Sequence, residues 1–401
     1  MSMRLSSSQI YQQSVNIMRE QQAKLTEVDQ QIASGKRILK PSDDPSATVQ
    51  ILNLNTEVLK LEQYSSNIDA ARTQLSQTEE VLRQSGNVLQ RARELLLQAN
   101  NDTLDSNNRK AIAGELSSLK SQLVALANTR DATGEYVFAG FQVGTQPFSE
   151  EGKNVVYAGD RAQRMTQVGS GIQMAVRDNG HEVFRNIRTG NGQLVVRADE
   201  TNTGGAVVNP TQIGPFVADT YAVSFSLVSA DTPMTYQVTD NAGAVVAAGD
   251  YFEGEFIDVG GARLHFDGMP ANGDTFTVEP SDIRDVFATI QDAVDVLEGF
   301  ASGTTSTALL HNRLNEGLDN LDQSLSHLLD HRAGVGARMN SLDTQQDVHE
   351  TNVLQLKESI SSLEDLDYAE AVTELNLRLT ALQAAQQAYI KIQNISLFQY
   401  L

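Results

Sequence analysis

Residues 54–96 read LNTEVLKLEQYSSNIDAARTQLSQTEEVLRQSGNVLQRARELL, and residues 314–342 read LNEGLDNLDQSLSHLLDHRAGVGARMNSL. In the first stretch Leu54, Leu61, Ile68, Leu75, Leu82, Leu89 and Leu96 fall seven apart without a break. In the second, Leu314, Leu321, Leu328, Val335 and Leu342 do the same, with Leu318, Leu325 and Met339 at intervening positions. A sustained seven-residue apolar repeat keeps one helix face turned towards a partner and favours left-handed supercoiling of packed helices. Two such repeats in one chain find their simplest partner in each other. What separates them differs in kind: six of the eight prolines (147, 210, 215, 233, 270 and 280) and 18 of the 28 glycines fall within 141–280. Residues 46–146 and 281–401 contain no proline, so long helices are permitted there.

The middle stretch alternates as strands do. Tyr221–Leu227 and Met234–Val238 flank Asp231-Thr232-Pro233, and turn signals follow at Asp240–Gly243, Asp267-Gly268 and Asn272-Gly273. Residues 275–279 read as a last strand. A helix is expected after Pro280, with Ser281 as its cap and Ile283, Val286, Phe287, Ile290, Val294 and Leu297 on one face. Another is expected near 109–128, after the polar turn Asn100–Thr103. The fold class is therefore α+β and multidomain: long N- and C-terminal helices pair as a coiled-coil bundle, and an antiparallel β domain is inserted between them. The expected plan is terminal arms at 1–45 and 357–401, a helical bundle at 46–140 and 281–356, and a surface-exposed β insertion at 141–280.

The outermost segments carry thinner stripes. Tyr11, Met18, Leu25, Ile32 and Leu39 repeat by seven, as do Tyr368, Leu375, Leu382 and Tyr389, supported by Val372 and Leu379. Residues 1–40 hold six basic and three acidic groups, whereas 358–401 hold two basic and six acidic, so the arms have opposite charge. Alone, such a stripe buries too little area to offset an ordering entropy of roughly 1–2 kcal/mol per residue. Two arms of opposite charge can pair with each other, but in the free monomer both are expected to be mobile until they meet a partner. These eleven residues form the expected assembly interface.

Composition narrows the function. The chain has 401 residues with 30 Lys+Arg against 51 Asp+Glu, a net charge of −21. That balance argues against nucleic acid and against anionic membranes, both of which need clustered cations. There is no cysteine, which excludes thiol catalysis, disulfides and Cys-ligated metals. Residues 1–20 lack the apolar core of a cleavable signal peptide, and no run of 18 apolar residues is present. The expectation is a protein that stays inside or leaves by a route needing no such signal.

Chemistry is hard to find. His327 and His331 stand four apart in HLLDH, but Leu328 holds the place where a zinc-protease helix needs its general-base Glu. Gly334-Val335-Gly336 lacks the strand and third glycine of a dinucleotide loop; close backbone approach or a kink is the plainer expectation. Ser34-Gly35-Lys36-Arg37 lacks the rest of a phosphate loop. No nucleophile, base and oxyanion donor group together, so no catalytic, cofactor or metal residue is assigned, and an assembly protein is favoured over an enzyme.

Two motifs point further. Ser34-Gly35-Lys36-Arg37-Ile38 followed by Pro41-Ser42-Asp43-Asp44-Pro45-Ser46-Ala47 resembles the N-terminal motif of bacterial flagellins and their relatives. Its physics is readable, since Gly35 can end an arm, Asp44 can cap a helix and Pro45 suits a first turn. Arg332, Gly336, Ala337 and Asn340 resemble the family's C-terminal helix motif. Tyr136–Gly140 and the tail from Leu366 to Leu401 are similar to the hook-associated branch rather than to filament flagellins. The resemblance implies a structural role joining flagellar hook to filament and export through the flagellum's own channel. It implies as partners copies of the chain in a ring, hook-associated protein 1 on the hook side, flagellin on the filament side, and a cytosolic export chaperone. The alternatives are flagellin or a minor filament subunit and, from another class, a secreted enzyme or binding module with its site in 141–280.

Overall fold

The computed structural model describes residues 7–229, 232–301 and 306–398. Along the chain run α1 (Ser7–Ser34), α2 (Pro45–Ala99), α3 (Ser106–Ala127), β1 (Phe148–Glu151), β2 (Asn154–Tyr157), β3 (Met165–Gly169), β4 (Ile172–Ala175), α4 (Gly180–Phe184), β5 (Ile187–Arg188), β6 (Leu194–Ala198) and β7 (Val207–Gln212). Then come β8 (Tyr221–Ser226), β9 (Met234–Thr239), β10 (Val245–Tyr251), β11 (Phe256–Val259), β12 (Ala262–Asp267), β13 (Thr275–Pro280), β14 (Ile283–Arg284), α5 (Val286–Ala301), α6 (Thr307–Glu364) and α7 (Tyr368–Phe398). The chain forms two compact units. One takes residues 67–343, and the other combines 1–66 with 344–401. No helix among the described residues is long and apolar enough to cross a membrane.

In the 67–343 unit, α2 and α6 run antiparallel, and the seven-residue repeats form their seam. Ile68, Leu75, Leu82, Leu89 and Leu96 are fully buried, as are Leu314 and Val335 and, nearly so, Leu321 and Leu328. Each such side chain contributes about 1.5–3 kcal/mol on leaving water. The register is fixed by rungs of opposite numbering: Arg72 to Asp343, Glu79 to Arg332 and Arg93 to Asp322, each at 2.6 Å, and Asn100 Nδ2 to Asn315 Oδ1 at 2.9 Å. The Arg72 and Arg93 pairs are exposed and add little stability, and the Glu79–Arg332 pair is half-buried; the apolar seam carries the pairing. The bundle is completed by α3, capped by Asp105 through the Asn108 amide at 2.8 Å, and by α5 packed against it. The cap of α5 differs from expectation. Asp285, not Ser281, accepts from the Ala288 amide at 2.7 Å, and Ile283 is an exposed residue of β14. Ser281 is already committed to β pairing, its amide donating to the Gln193 carbonyl at 2.9 Å.

Antiparallel strands build the insertion, in a five-stranded sheet of order β10-β9-β8-β13-β6 and a three-stranded sheet of order β11-β12-β7. On β8, Tyr221, Val223 and Phe225 point inward while their neighbours are half-buried, the period-2 alternation of a sheet with one covered face. Phe225, Phe266, Phe276 and Tyr251 meet edge-to-face, Phe266 and Phe276 at 4.9 Å. This core begins at Leu194 and ends at Val278. Residues 148–187 do not share it. Phe148, Val155, Val168, Val176, Val183, Phe184 and Ile187 belong to the helical core, where Phe148 lies 5.6 Å from Phe184 and 5.3 Å from Phe287. Core membership therefore draws the boundary of the β module near 193 and 281 rather than at 141 and 280. A buried asparagine of α6 clasps it: Asn312 accepts from the Val208 amide at 2.8 Å and donates to the Ala206 carbonyl at 2.9 Å, while Asn320 accepts from the amide of Gly190, just ahead of the module, at 2.7 Å.

Replacing 194–280 by an Asn-Gly turn should leave a helical protein with a cooperative circular-dichroism melt, because Gln193 and Ser281 are already hydrogen-bonded neighbours. Cutting at 141 instead strips Phe148 and Phe184 from the helical core. At about 3–5 kcal/mol for each large aromatic removed, that variant should unfold or aggregate. Equal melts for the two deletions would overturn this boundary.

Candidate assembly interface

The unit built from both chain ends carries the arm residues. Helices α1 and α7 pack antiparallel, with Tyr11 edge-on to Tyr389 at 5.8 Å. On α1, Tyr11, Met18, Leu25 and Ile32 are half-buried around the buried Val28. Leu39 breaks the stripe. It lies beyond the helix end at Ser34, half-buried in the connecting loop, and its amide donates to Asp43 Oδ2 at 3.1 Å. The expected stripe on α7 divides in two. Leu375, Leu382 and Tyr389 are half-buried on the side that meets α1, alongside the buried Ala371. Tyr368, Val372 and Leu379 lie on the adjoining side and are 55%, 46% and 39% exposed. The arms thus order against each other and leave an apolar strip open.

A second open strip escaped the sequence reading. Val49, Leu52 and Leu59 on α2 are exposed, while Ala47, Val58 and Leu61 of the same helix are buried. Val348 and Leu354 are exposed on α6. A usable signal was present: eight apolar residues crowd into 47–61, more than one helix stripe can hold, and a helix apolar on two sides has two partners.

Within this same unit, between α1 and α7 and the stretches of α2 at 45–66 and α6 at 344–364, the N-terminal motif forms a joint. Gly35 ends α1 at φ +71°, and a Cβ there would stand 3.0 Å from Tyr368 Oη. Lys36 bridges to Asp365 as a two-residue antiparallel contact, and its ammonium pairs with Glu364. That pairing, mainly its hydrogen bond, raises the Lys36 pKa. The Leu366 amide donates to the Gly35 carbonyl at 3.0 Å, the Arg37 amide to the Glu364 carbonyl at 2.7 Å, and Arg37 Nη2 to the Leu363 carbonyl at 2.7 Å. Asp43 closes the loop by accepting from the Leu39 and Lys40 amides. Asp44 caps α2 through the Ala47 amide at 3.0 Å, and Pro45 opens the helix where its missing N–H has no partner to lose. Across the joint, Asp367 caps α7 through the Ala369 and Glu370 amides. The Ala47 amide, then the Ser46 hydroxyl, and more weakly Arg37, hold the Asp44 carboxyl below its usual range.

The C-terminal motif residues lie in the other unit. Arg332 grips Glu79, Asn340 is exposed on α6, and Gly336 and Gly334 face open space, so neither a close backbone approach nor a break in the helix explains the two glycines. His327 and His331 meet edge-on at 4.7 Å, and His327 Nε2 lies 2.7 Å from the Glu182 carbonyl oxygen. No group of three metal-ligating side chains occurs among the described residues.

Gly35→Ala should destabilise the arm pair by roughly 1–2 kcal/mol, the strain of a left-handed backbone, read as faster amide exchange along α1 and α7. The cap of α2 should be acid-labile. Because the folded Asp44 pKa is lowered, its contribution is complete above the ordinary carboxylate range and is lost as pH falls through the folded value. Protection of the Ala47 amide, relative to its intrinsic exchange rate, should therefore fall below about pH 4, and Asp44→Ala should show the reduced protection at every pH.

The comparisons agree with this geometry. Residues 5–143 match the bacterial flagellin N-terminal helical region, and 318–401 match the bacterial flagellin C-terminal helical region. Flagellar hook-associated protein 3 of Escherichia coli (strain K12) is 27% identical over 398 residues, covering 99% of both chains. The solved structure of Xanthomonas campestris FlgL is 34% identical, covers 77% of this chain and 99% of that one, and superposes with a TM-score of 0.70. The flagellar junction protein FlgL from Legionella pneumophila is 30% identical, with 79% and 100% coverage and a TM-score of 0.71. The chain belongs to the flagellar hook-associated protein 3 family, whose helical ends are those of the bacterial flagellins.

Proposed function

We propose that the chain is a structural subunit of the bacterial flagellum that connects hook to filament by packing of its terminal helices. The observation that carries this reading is the pair of open apolar strips, Tyr368-Val372-Leu379 on α7 and Val49-Leu52-Leu59 on α2, within the one unit that both chain ends build. Exposed apolar residues arranged in strips along helices mark association surfaces. Here they sit beside a polar joint that holds the arm pair in place. The full-length likeness to proteins named for the hook and the junction says which assembly is meant. On this reading the partners are neighbouring copies in a ring, hook-associated protein 1 below, flagellin above, and an export chaperone that shields the arms in the cytosol. Export proceeds without a cleavable signal peptide, the β module faces solvent, and the protein is not an enzyme. Many weak contacts repeated around a ring sum to a firm joint.

The division of the α7 stripe selects the test. Leu375 and Leu382 help hold α7 to α1, so charges there disturb the arm pair itself. Val372 and Leu379 are open, and surface substitutions usually shift stability by about 0.5 kcal/mol or less. The double variant Val372→Asp, Leu379→Asp should melt like the parent and still be secreted, yet fail to hold filaments. Cells would shed flagellin and lose motility. Attached filaments with this variant at the junction, located by immunogold labelling, would sink the role of the strip; labelling along the whole filament would favour a filament subunit instead.

A further inference from the structure

A groove of about 420 Å³ opens at the joint, floored by Val28, Leu366 and Ala371 and rimmed by Asp365, Asp367 and Glu370. Val28 and Ala371 are buried, so the floor is apolar and already shaped. The other charges at its edge are engaged: Arg37 lies 3.6 Å from Asp44 and donates to the Leu363 carbonyl, and Glu374 pairs with Arg378 at 2.6 Å. Of the rim carboxylates, Asp365 accepts from the Ser361 hydroxyl and acts on the Lys36 ammonium, Asp367 caps α7, and the Glu370 carboxylate makes no ion pair among the described residues. The volume falls within the roughly 300–1,000 Å³ of small binding sites. An apolar floor under an acidic rim suits a short segment with an aliphatic anchor and a cation.

We infer that this groove receives Met3-Arg4-Leu5 of a neighbouring copy, the apolar side chains entering and Arg4 meeting the carboxylates. The sequence immediately ahead of α1 supplies that chemistry, and the opposite net charges of the two chain ends favour it. The segment cannot reach its own groove: Ser7 to Val28 is about 30 Å of helix, whereas residues 3–6 span at most about 14 Å when extended. A contact of one copy's N-terminal segment with the next copy's joint is head-to-tail, and repeated head-to-tail contacts generate a ring or a tube. The inference rests on the junction reading and adds to it a defined subunit-to-subunit contact.

The chain has no cysteine, which makes thiol cross-linking clean. The variant Met3→Cys, Glu370→Cys, produced in flagellated cells, should give a ladder of covalent multimers when isolated flagella are treated with a short bis-thiol reagent, and neither single variant should. Motile cells whose flagella carry the double variant at the junction without a ladder would overturn the contact and leave the junction reading standing. If the double variant does not assemble, a charge exchange and a direct titration decide. Arg4→Glu and Glu370→Lys should each lower the number of attached filaments several-fold, and the two together should restore it; absence of rescue refutes the pairing. The peptide Met-Ser-Met-Arg-Leu-Ser added to the full chain should shift the Val28 and Ala371 amide resonances in a salt-sensitive way, and unchanged resonances at millimolar peptide would likewise refute it. A protein absent from the flagellum altogether, with the peptide still bound at the groove, would instead count against the junction reading alone.

Discussion

The seam between α2 and α6 is the interaction on which the rest depends. It joins Ile68–Leu96 to Leu314–Leu342, segments separated by more than two hundred residues of chain, and buries their repeat side chains almost completely. Closing so long a loop costs entropy that local contacts do not return, so the apolar seam has to supply it. Once the seam forms, the two ends of the 193–281 excursion are held together, and a β module can grow there with its own core and without threading the bundle. Asn312 shows how the two are joined: its buried amide on α6 satisfies the Val208 and Ala206 backbone groups of the excursion, which would otherwise be stranded away from water.

The arms answer a different requirement. A segment that is to pack against neighbours cannot also spend its whole apolar surface inside its own chain. Helices α1 and α7 share one side with each other and keep another open, as the packing against neighbours that we propose requires. The joint beneath them is made almost wholly of backbone and charged groups: Gly35, Lys36 and Arg37 on one strand and Leu363–Leu366 on the other. These polar groups give direction through hydrogen-bond geometry, beside the apolar groove floor of Val28, Leu366 and Ala371. Motif residues at 35–45 are therefore explained by backbone needs, namely a left-handed turn, a loop closed by a carboxylate and a capped helix start.

Much of this was legible from residue order. The seven-residue repeats announced the α2/α6 pairing, the glycine and proline census located the insertion, and Gly35, Asp44 and Pro45 named their own local roles. Those signals are legible because each arises from interactions within a few turns of chain or from a periodicity that only one kind of helix partner satisfies. The cap of α5 was misplaced because Ser281, a good cap by type, is drawn into pairing with Gln193, a residue far away in sequence.

The sequence by itself determined the class of fold, the existence of two helical ends flanking a β module, and the local roles of Gly35, Asp44 and Pro45. Only the tertiary structure decided that residues 148–187 belong with the helices, that Leu39 leaves the arm stripe, and that Leu375 and Leu382 face inward while Val372 and Leu379 stay open. The physical reason is common to all three. Hydrophobicity says that a side chain prefers to leave water, but not which of several apolar surfaces it will meet; that choice is made by the packing of segments that the chain order keeps far apart.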